Sequence, residues 1–158
     1  MNTARRIVLI FTIAFALNAL WEFWHAQFYI HYQSGAITAF ILLRAALVDA
    51  AIITIAVFVW FHRKSPVKSH GAGFSNSREL ENLWDAKILW FAIPAWLIVA
   101  ILLEKWALAT NRWAYNETMP LTPFIETGLT PTIQLALLGT ISWYIAQRFI
   151  LCKRGKTR

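Results

Sequence analysis

Apolar and polar positions divide the chain into four long apolar runs separated by polar connections, at roughly 6–30, 37–61, 86–109 and 129–151. At about 1.5 Å per helical residue, each run is long enough to cross a hydrocarbon core of about 30 Å. The pattern predicts an all-α integral membrane protein: a bundle of four transmembrane helices forming a single domain over residues 1–158. The first run is too long for the core of a signal peptide and lacks a small-residue cleavage site, so it reads as a retained span.

The connections differ in character. The stretch at 62–85 contains Gly71, Gly73, Ser75, Asn76 and Ser77 and reads as a flexible loop, with a short interfacial helix opening at Ser77-Arg78-Glu79-Leu80-Glu81. The stretch at 110–128 holds Asn111, Arg112, Trp113, Tyr115, Met119, Pro120, Pro123 and Gly128. It is too aromatic and too proline-fixed for a linker, and is expected to form an ordered extracytoplasmic cap loop. Pro131 suits the first turn of the fourth helix, and Pro94 is expected to kink the third.

Composition supports this division. Hydrophobic residues make up 58% of the 158, too many for an ordinary soluble domain of this size. The net charge of +7 raises nucleic acid as a partner, but its distribution argues against it. Arg5 and Arg6 precede the first run, and Arg63, Lys64, Lys68, Arg78 and Lys87 flank or occupy the second connection. Arg148, Lys153, Arg154, Lys156 and Arg158 follow the last. The first connection has no Lys or Arg, and the third has Arg112 alone. This is the positive-inside pattern, and it places both termini and the 62–85 loop in the cytoplasm of a bacterial inner membrane. Trp60, Trp84, Trp90, Trp106, Trp113 and Trp143 suit interfacial belts. The lone Cys152 excludes an intrachain disulfide and a Cys-x-x-Cys redox site.

Against this background four charged residues stand out inside apolar runs: Glu22, Arg44, Asp49 and Glu104. Each costs roughly 2.5–3.5 kcal/mol on insertion scales, so an intramembrane polar site is the default reading. Counted from the run ends, Glu22 lies about 12 Å, Arg44 about 10 Å, Asp49 about 18 Å and Glu104 about 8 Å from the outer surface, with Gln134 at a similar depth. The inner halves are nearly all Leu, Ile, Val, Ala and Phe. This asymmetry predicts a pocket open on the outer side and no through-channel. Asn18, Glu22, His25 and Tyr29, spaced 4, 3 and 4 apart, form one helical stripe bordered by Trp21. Arg44 and Asp49 do not share a face, so Arg44 is expected to neutralise Glu22 or Glu104 on a neighbouring helix. Asn18 and Gln134 read as interhelical hydrogen-bonding glue. Ala45, Ala46, Ala50 and Ala51 read as a close helix contact.

Several chemistries fall away. Glu22-x-x-His25 has the spacing used by di-iron bundles, but the partner motif and a second intramembrane His are lacking, so no metal is expected. Ser142 has no His or Asp near it in sequence, and no phosphate-cradling glycine loop or other cofactor motif occurs. General acid chemistry on a lipid remains: a buried carboxyl protonates an alkene or epoxide, and aromatic faces stabilise the cation.

Asn18-Ala19-Leu20-Trp21-Glu22-Phe23 resembles the Asn-x-x-Trp-Glu segment of membrane-bound meroterpenoid terpene cyclases, whose glutamate is taken as the acid. Glu104 through Arg112-Trp113-Ala114-Tyr115-Asn116 to Pro131 is similar to the membrane lycopene cyclase domain. Where that domain has Pro-x-Glu-Glu, this chain reads Pro131-Thr132-Ile133-Gln134. The whole pattern resembles small four-span bacterial inner-membrane proteins to which no activity is assigned. The first two resemblances imply a cofactor-independent isoprenoid or lipid cyclase or isomerase. Glu22 would be the acid, and Asp49 and Glu104 would tune it or take the proton back. His25 and Tyr29 would orient it, with Trp21, Trp113 and Tyr115 lining the pocket beside Arg44, Arg112 and Gln134. Membrane lipids and a hydrophobic small-molecule ligand are the expected partners. The rival is a proton- or cation-coupled transporter, or a module that binds a lipid or sterol-like ligand. With only four spans, a transporter would work as a homo-oligomer.

Overall fold

The computed structural model describes the backbone of residues 3–62 and 77–155 and the side chains of residues 4–59 and 90–150. The glycine-containing loop at 63–76, the side chains of His62 and Cys152, and the C-terminal basic cluster lie outside the described residues. Four α-helices carry the fold: α1 (Thr3–His25), α2 (Ala39–His62), α3 (Ser77–Ala109) and α4 (Leu129–Gly155). Each contains a segment long and apolar enough to cross a membrane, at Ala4–Phe28 (which includes the turn that closes α1), Ala39–Val59, Trp90–Ala109 and Leu129–Ile150. Large apolar side chains such as Leu20, Phe40, Ile98, Leu102 and Phe149 point outward, as befits helices that are apolar all round.

Two boundaries depart from expectation. Ser77–Glu81 is no separate interfacial helix; it is the first turns of α3, which runs on through Pro94. α1 ends at His25 rather than near residue 30. There the chain tightens into a 3-10 turn, Ala26–Phe28, and Gln27 Nε2 donates to the Trp24 carbonyl at 2.9 Å. Tyr29 is already extended, with φ −111° and ψ 146°. Glu22 therefore sits one turn from the helix end, not deep inside a longer span.

The residues beyond α1 form β1 (Tyr29–Tyr32), antiparallel to β2 (Trp113–Tyr115) beyond α3. Tyr29 pairs with Tyr115, His31 with Ala114 and Tyr32 with Trp113, so Ile30 bulges out of register. A bulge re-aims the side chains around it. Ile30 points outward, while Tyr29, His31 and Tyr32 all face one cavity. β1 ends in a tight turn whose central residues Gln33 and Ser34 are both left-handed, with φ 48° and 61°. Reciprocal backbone bonds of 3.0 and 2.9 Å between Tyr32 and Gly35 close it.

β2 is positioned by the way α3 stops. Asn111 is left-handed with φ 50°, Arg112 N–H donates to the Ala107 carbonyl at 2.9 Å, and Asn111 N–H to that of Leu108 at 3.1 Å. This is a Schellman stop with Asn where Gly is commonest. It turns Arg112 and Trp113 back over the bundle. Leu121 bridges to Gly128, and Thr122, Thr127 and Thr132 hydroxyls join in a buried chain that leads into α4. At Gly128 an added Cβ would lie 2.9 Å from the Pro131 ring and 3.1 Å from the Met119 sulfur.

Below the sheet one apolar core unites Ile10 and Ala14 of α1, Ala50, Ile53 and Val57 of α2, Trp96 and Ala100 of α3, and Leu135, Trp143 and Ala146 of α4. Small residues let the helices approach: Ala46 and Ala50 are fully buried, and Gly139 packs on the Trp96 ring. α1 packs on α2 and α4, and α3 packs on α4. α2 and α3 touch little, so the bundle is open between them beneath the sheet.

Candidate functional site

The opening between α2 and α3 leads into a cavity of about 250 Å³. At about 30 Å³ per liquid water, that is room for roughly eight waters or a small ligand group. Its walls are amphipathic. Ile41, Leu42, Ala45 and Val48 of α2 face Ala100 and Leu103 of α3, while Glu22, Asp49, Glu104 and Gln134 form its polar inner end.

α1 and α2 converge on Gln134 of α4, which is only 5% exposed. Its Nε2 lies 2.7 Å from Glu22 Oε1, 2.9 Å from Asp49 Oδ2 and 3.2 Å from Asn18 Oδ1. The Glu22 and Asp49 carboxyls thus lie side by side on one amide nitrogen. Two ionised carboxylates so placed repel each other, which favours a proton on one of them. Gln134 clamps the pair. Asn18 is tied by its own Nδ2 to the Ala14 carbonyl at 2.8 Å, which leaves its Oδ1 for the amide.

Glu104, 3% exposed, has a separate set of partners. It accepts from the Tyr115 hydroxyl and from Trp113 Nε1 at 3.2 Å, with the Tyr29 phenol beside it. Burial, reinforced by the Glu104 and Glu22 carboxyls, pushes the Tyr29 phenol well above the usual tyrosine range. Burial, with Glu104 beside it, does the same for Tyr115. Both phenols therefore remain protonated donors at ordinary pH. Tyr115 in turn accepts from Gly128 N–H at 2.7 Å, so one hydroxyl couples the start of α4 to the acid on α3.

His25 is 1% exposed and lines the cavity, with Nε2 2.6 Å from the Thr130 hydroxyl. That hydroxyl is 3.4 Å from the Met119 sulfur. The direction of the His25–Thr130 bond follows the tautomer of the ring.

Of the residues singled out from sequence, Glu22, His25, Tyr29, Arg44, Asp49, Glu104, Arg112, Trp113 and Gln134 all line this one cavity. Others are corrected. Tyr29 is not on the α1 stripe; it reaches the site from β1. His25 does not orient Glu22, because its bond goes to Thr130, and the Tyr29 phenol lies near both Glu104 and Glu22. Gln134 holds Glu22 instead. Trp21 is not a lining residue: its ring packs on Trp24 and His25, and its buried indole N–H has no partner among the described residues. Tyr115 acts from behind Glu104 and is not in the wall. Arg44 neutralises neither Glu22 nor Glu104; its guanidinium donates to the Tyr32 hydroxyl at 2.5 Å and lies 5.6 Å over that ring. Arg112 donates to the same hydroxyl at 3.4 Å and stacks 4.2 Å over Trp106.

Tyr32, His31 and Thr130 were not anticipated. The first two fall in a connection that reads as a six-residue loop. Aromatic residues followed by Gln33-Ser34-Gly35 are the available hairpin signal, and it is faint without Asn-Gly. Thr130 carries no signal, since a threonine opening a membrane helix is ordinary. Among the described residues no group of three His, Cys, Asp or Glu is placed to hold a metal ion. The Ser142 hydroxyl, fully buried, has no hydrogen-bond partner among the described residues. No protein-family model, curated protein or solved structure matches this chain.

Proposed function

We propose that this chain is a multi-pass protein of a bacterial inner membrane, with both termini in the cytoplasm and the two-stranded sheet on the opposite side. Within it, the Glu22–Asp49 pair acts as acid and base in a cofactor-independent isomerisation or cyclisation of an isoprenoid or similar lipid. The observation that carries this reading is the carboxyl pair clamped by one buried amide at the polar end of an otherwise apolar cavity.

The chemistry balances without a co-reactant. The carboxyl O–H bond breaks as a C–H bond forms at one alkene carbon, and the π-bond becomes a carbocation. A ring or shifted double bond then forms as a neighbouring C–H proton returns to the carboxylate pair. Tyr29 and Trp113, in edge-to-face contact at 5.7 Å, present aromatic surface to that cation. Glu104, which accepts from Trp113 and Tyr115, fixes that wall from the α3 side.

The transport reading would need polar groups to continue toward the other end of the bundle. Among the described residues the buried polar side chains there are Thr54, bonded to its own helix at Ala50, and Ser142, whose hydroxyl has no partner among them. The acid reading is tested by comparing membrane lipids from cells bearing the wild-type chain and Glu22→Gln, with growth in D₂O to label the transferred proton. A deuterated isoprenoid product present in wild type and absent in Glu22→Gln is expected. The same product in both would remove Glu22 from the chemistry. Proton flux in liposomes without lipid turnover would favour transport.

A further inference from the structure

The cavity has a second polar end that the acid chemistry does not use. At the sheet end Arg44 from α2 and Arg112 from the α3 stop converge on a single neutral oxygen, that of Tyr32. Both guanidiniums line the cavity. Neither is paired with Glu22, Asp49 or Glu104, whose partners are Gln134, Trp113 and Tyr115. Two like charges held at one phenol with no carboxylate between them is an arrangement completed by an anion.

The arginines are held rather than free to swing. Arg112 lies 4.2 Å over the Trp106 ring and Arg44 5.6 Å over that of Tyr32, and the backbone carbonyl of Arg112 accepts from Gln33 N–H at 2.6 Å. Each guanidinium has five N–H donors and uses one on Tyr32, which leaves several to spare. His31 adds another. Its Nδ1 accepts from Ser34 N–H at 3.2 Å, so in the neutral ring the hydrogen sits on Nε2, and the side chain faces the same cavity.

We propose that Arg44, Arg112 and His31 form the headgroup site for a lipid carrying a phosphate, which enters sideways between α2 and α3. The slot is lined by Ile41, Leu42 and Val48 on one side and Leu103 on the other, which suits an alkyl or prenyl chain better than a free ion. Arg44 and Asp49 are five residues apart on one helix, about 7.5 Å along its axis. A head bound at Arg44 thus brings the chain some five or six bonds away to the carboxyl pair, and the rest of the tail lies in the slot. This names the substrate class of the proposed acid site, and rests on that reading only in joining head and reacting bond in one molecule.

Binding tests it without turnover. The full chain in dodecyl maltoside, which contributes no phosphate, is equilibrated with labelled farnesyl monophosphate, farnesol or inorganic phosphate, and bound probe is separated by gel filtration. Saturable farnesyl phosphate binding at least tenfold tighter than farnesol is expected. That preference should fall tenfold or more in Arg44→Gln and in Arg112→Gln, and should weaken with added salt in the wild-type chain. Glu22→Gln should keep it, so a failed acid mechanism and a failed headgroup site give different results. Equal affinity for farnesyl phosphate and farnesol overturns the proposal. Inorganic phosphate binding as tightly as farnesyl phosphate overturns the lipid assignment in favour of a free anion. If an arginine variant also loses farnesol, as misfolding would cause, the wild-type salt series decides: a preference indifferent to salt refutes the site.

Discussion

Replacing Gln134 with leucine removes the one amide that donates to α1 and α2 from α4, at similar side-chain size. The nitrogen has three acceptors at 2.7, 2.9 and 3.2 Å but only two hydrogens, so about two bonds' worth of donation is lost. A bond to a charged group contributes about 1.5–3 kcal/mol in soluble proteins, whereas interhelical polar contacts in membranes average about 0.6 and reach about 1.7 kcal/mol. Glu22 and Asp49 can take up water from the cavity, while the fully buried Asn18 cannot. The loss should therefore be on the order of 1–3 kcal/mol. Gln134→Glu keeps the bulk and turns the donor into an acceptor facing three acceptors, so it should cost more than Gln134→Leu. Equilibrium unfolding in mixed detergent–SDS micelles measures both. A double-mutant cycle apportions the effect: Gln134→Leu should couple more strongly to Glu22→Leu, at 2.7 Å, than to Asn18→Leu, at 3.2 Å. A Gln134→Leu chain as stable as wild type, or coupling that is nil or stronger to Asn18, would refute the clamp.

Three further outcomes follow from other parts of the molecule. The Tyr29 and Tyr115 phenols are raised in the folded state, so their neutral forms stabilise it fully below the unfolded tyrosine value of about 10. Stability should decline as pH climbs past that point, and Tyr115→Phe should shallow the decline in an alkaline unfolding series; an unchanged slope would contradict the assignment. At Gly139 an added Cβ meets the Trp96 ring at 2.9–3.1 Å, and Trp96 is 1% exposed, so Gly139→Ala should destabilise by about 1–3 kcal/mol in the same micelle assay. Gln33 and Ser34 hold positive φ where Asn-Gly is preferred, so Gln33→Asn with Ser34→Gly should stabilise the hairpin by about 1 kcal/mol, read as slower amide exchange at Tyr32 and Gly35.

How much of this was legible in the sequence depends on the length of the pattern involved. Four runs of twenty or so apolar residues fix four helices almost regardless of detail, and charges inside them mark the site because each needs a partner. That reasoning found Glu22, Asp49, Glu104 and Gln134 as members of one polar cluster. It misjudged who pairs with whom. Opposite charge suggested Arg44 for a carboxylate, yet the acids are satisfied by an amide, an indole and a phenol, none of which a charge count registers.

The misreading of the first connection has its cause at the end of α1. Apolar residues continue through Phe28, so nothing in hydropathy marks a stop at His25, and no Gly or Pro punctuates it. The stop is imposed from outside the segment: Asn116 donates to the Gln27 carbonyl at 2.6 Å and to that of Phe28 at 3.0 Å, groups that a continuing helix would use internally. With the chain diverted there, β1 pairs with β2, Ile30 bulges, and Tyr29 and Tyr32 arrive at opposite ends of one cavity. Tyr29 serves the acid on α3, and Tyr32 gathers the two arginines. A seven-residue strand pair thus gives the cavity its two chemically distinct ends, and Asn116→Ala, by freeing α1 to run on, should blur both at once.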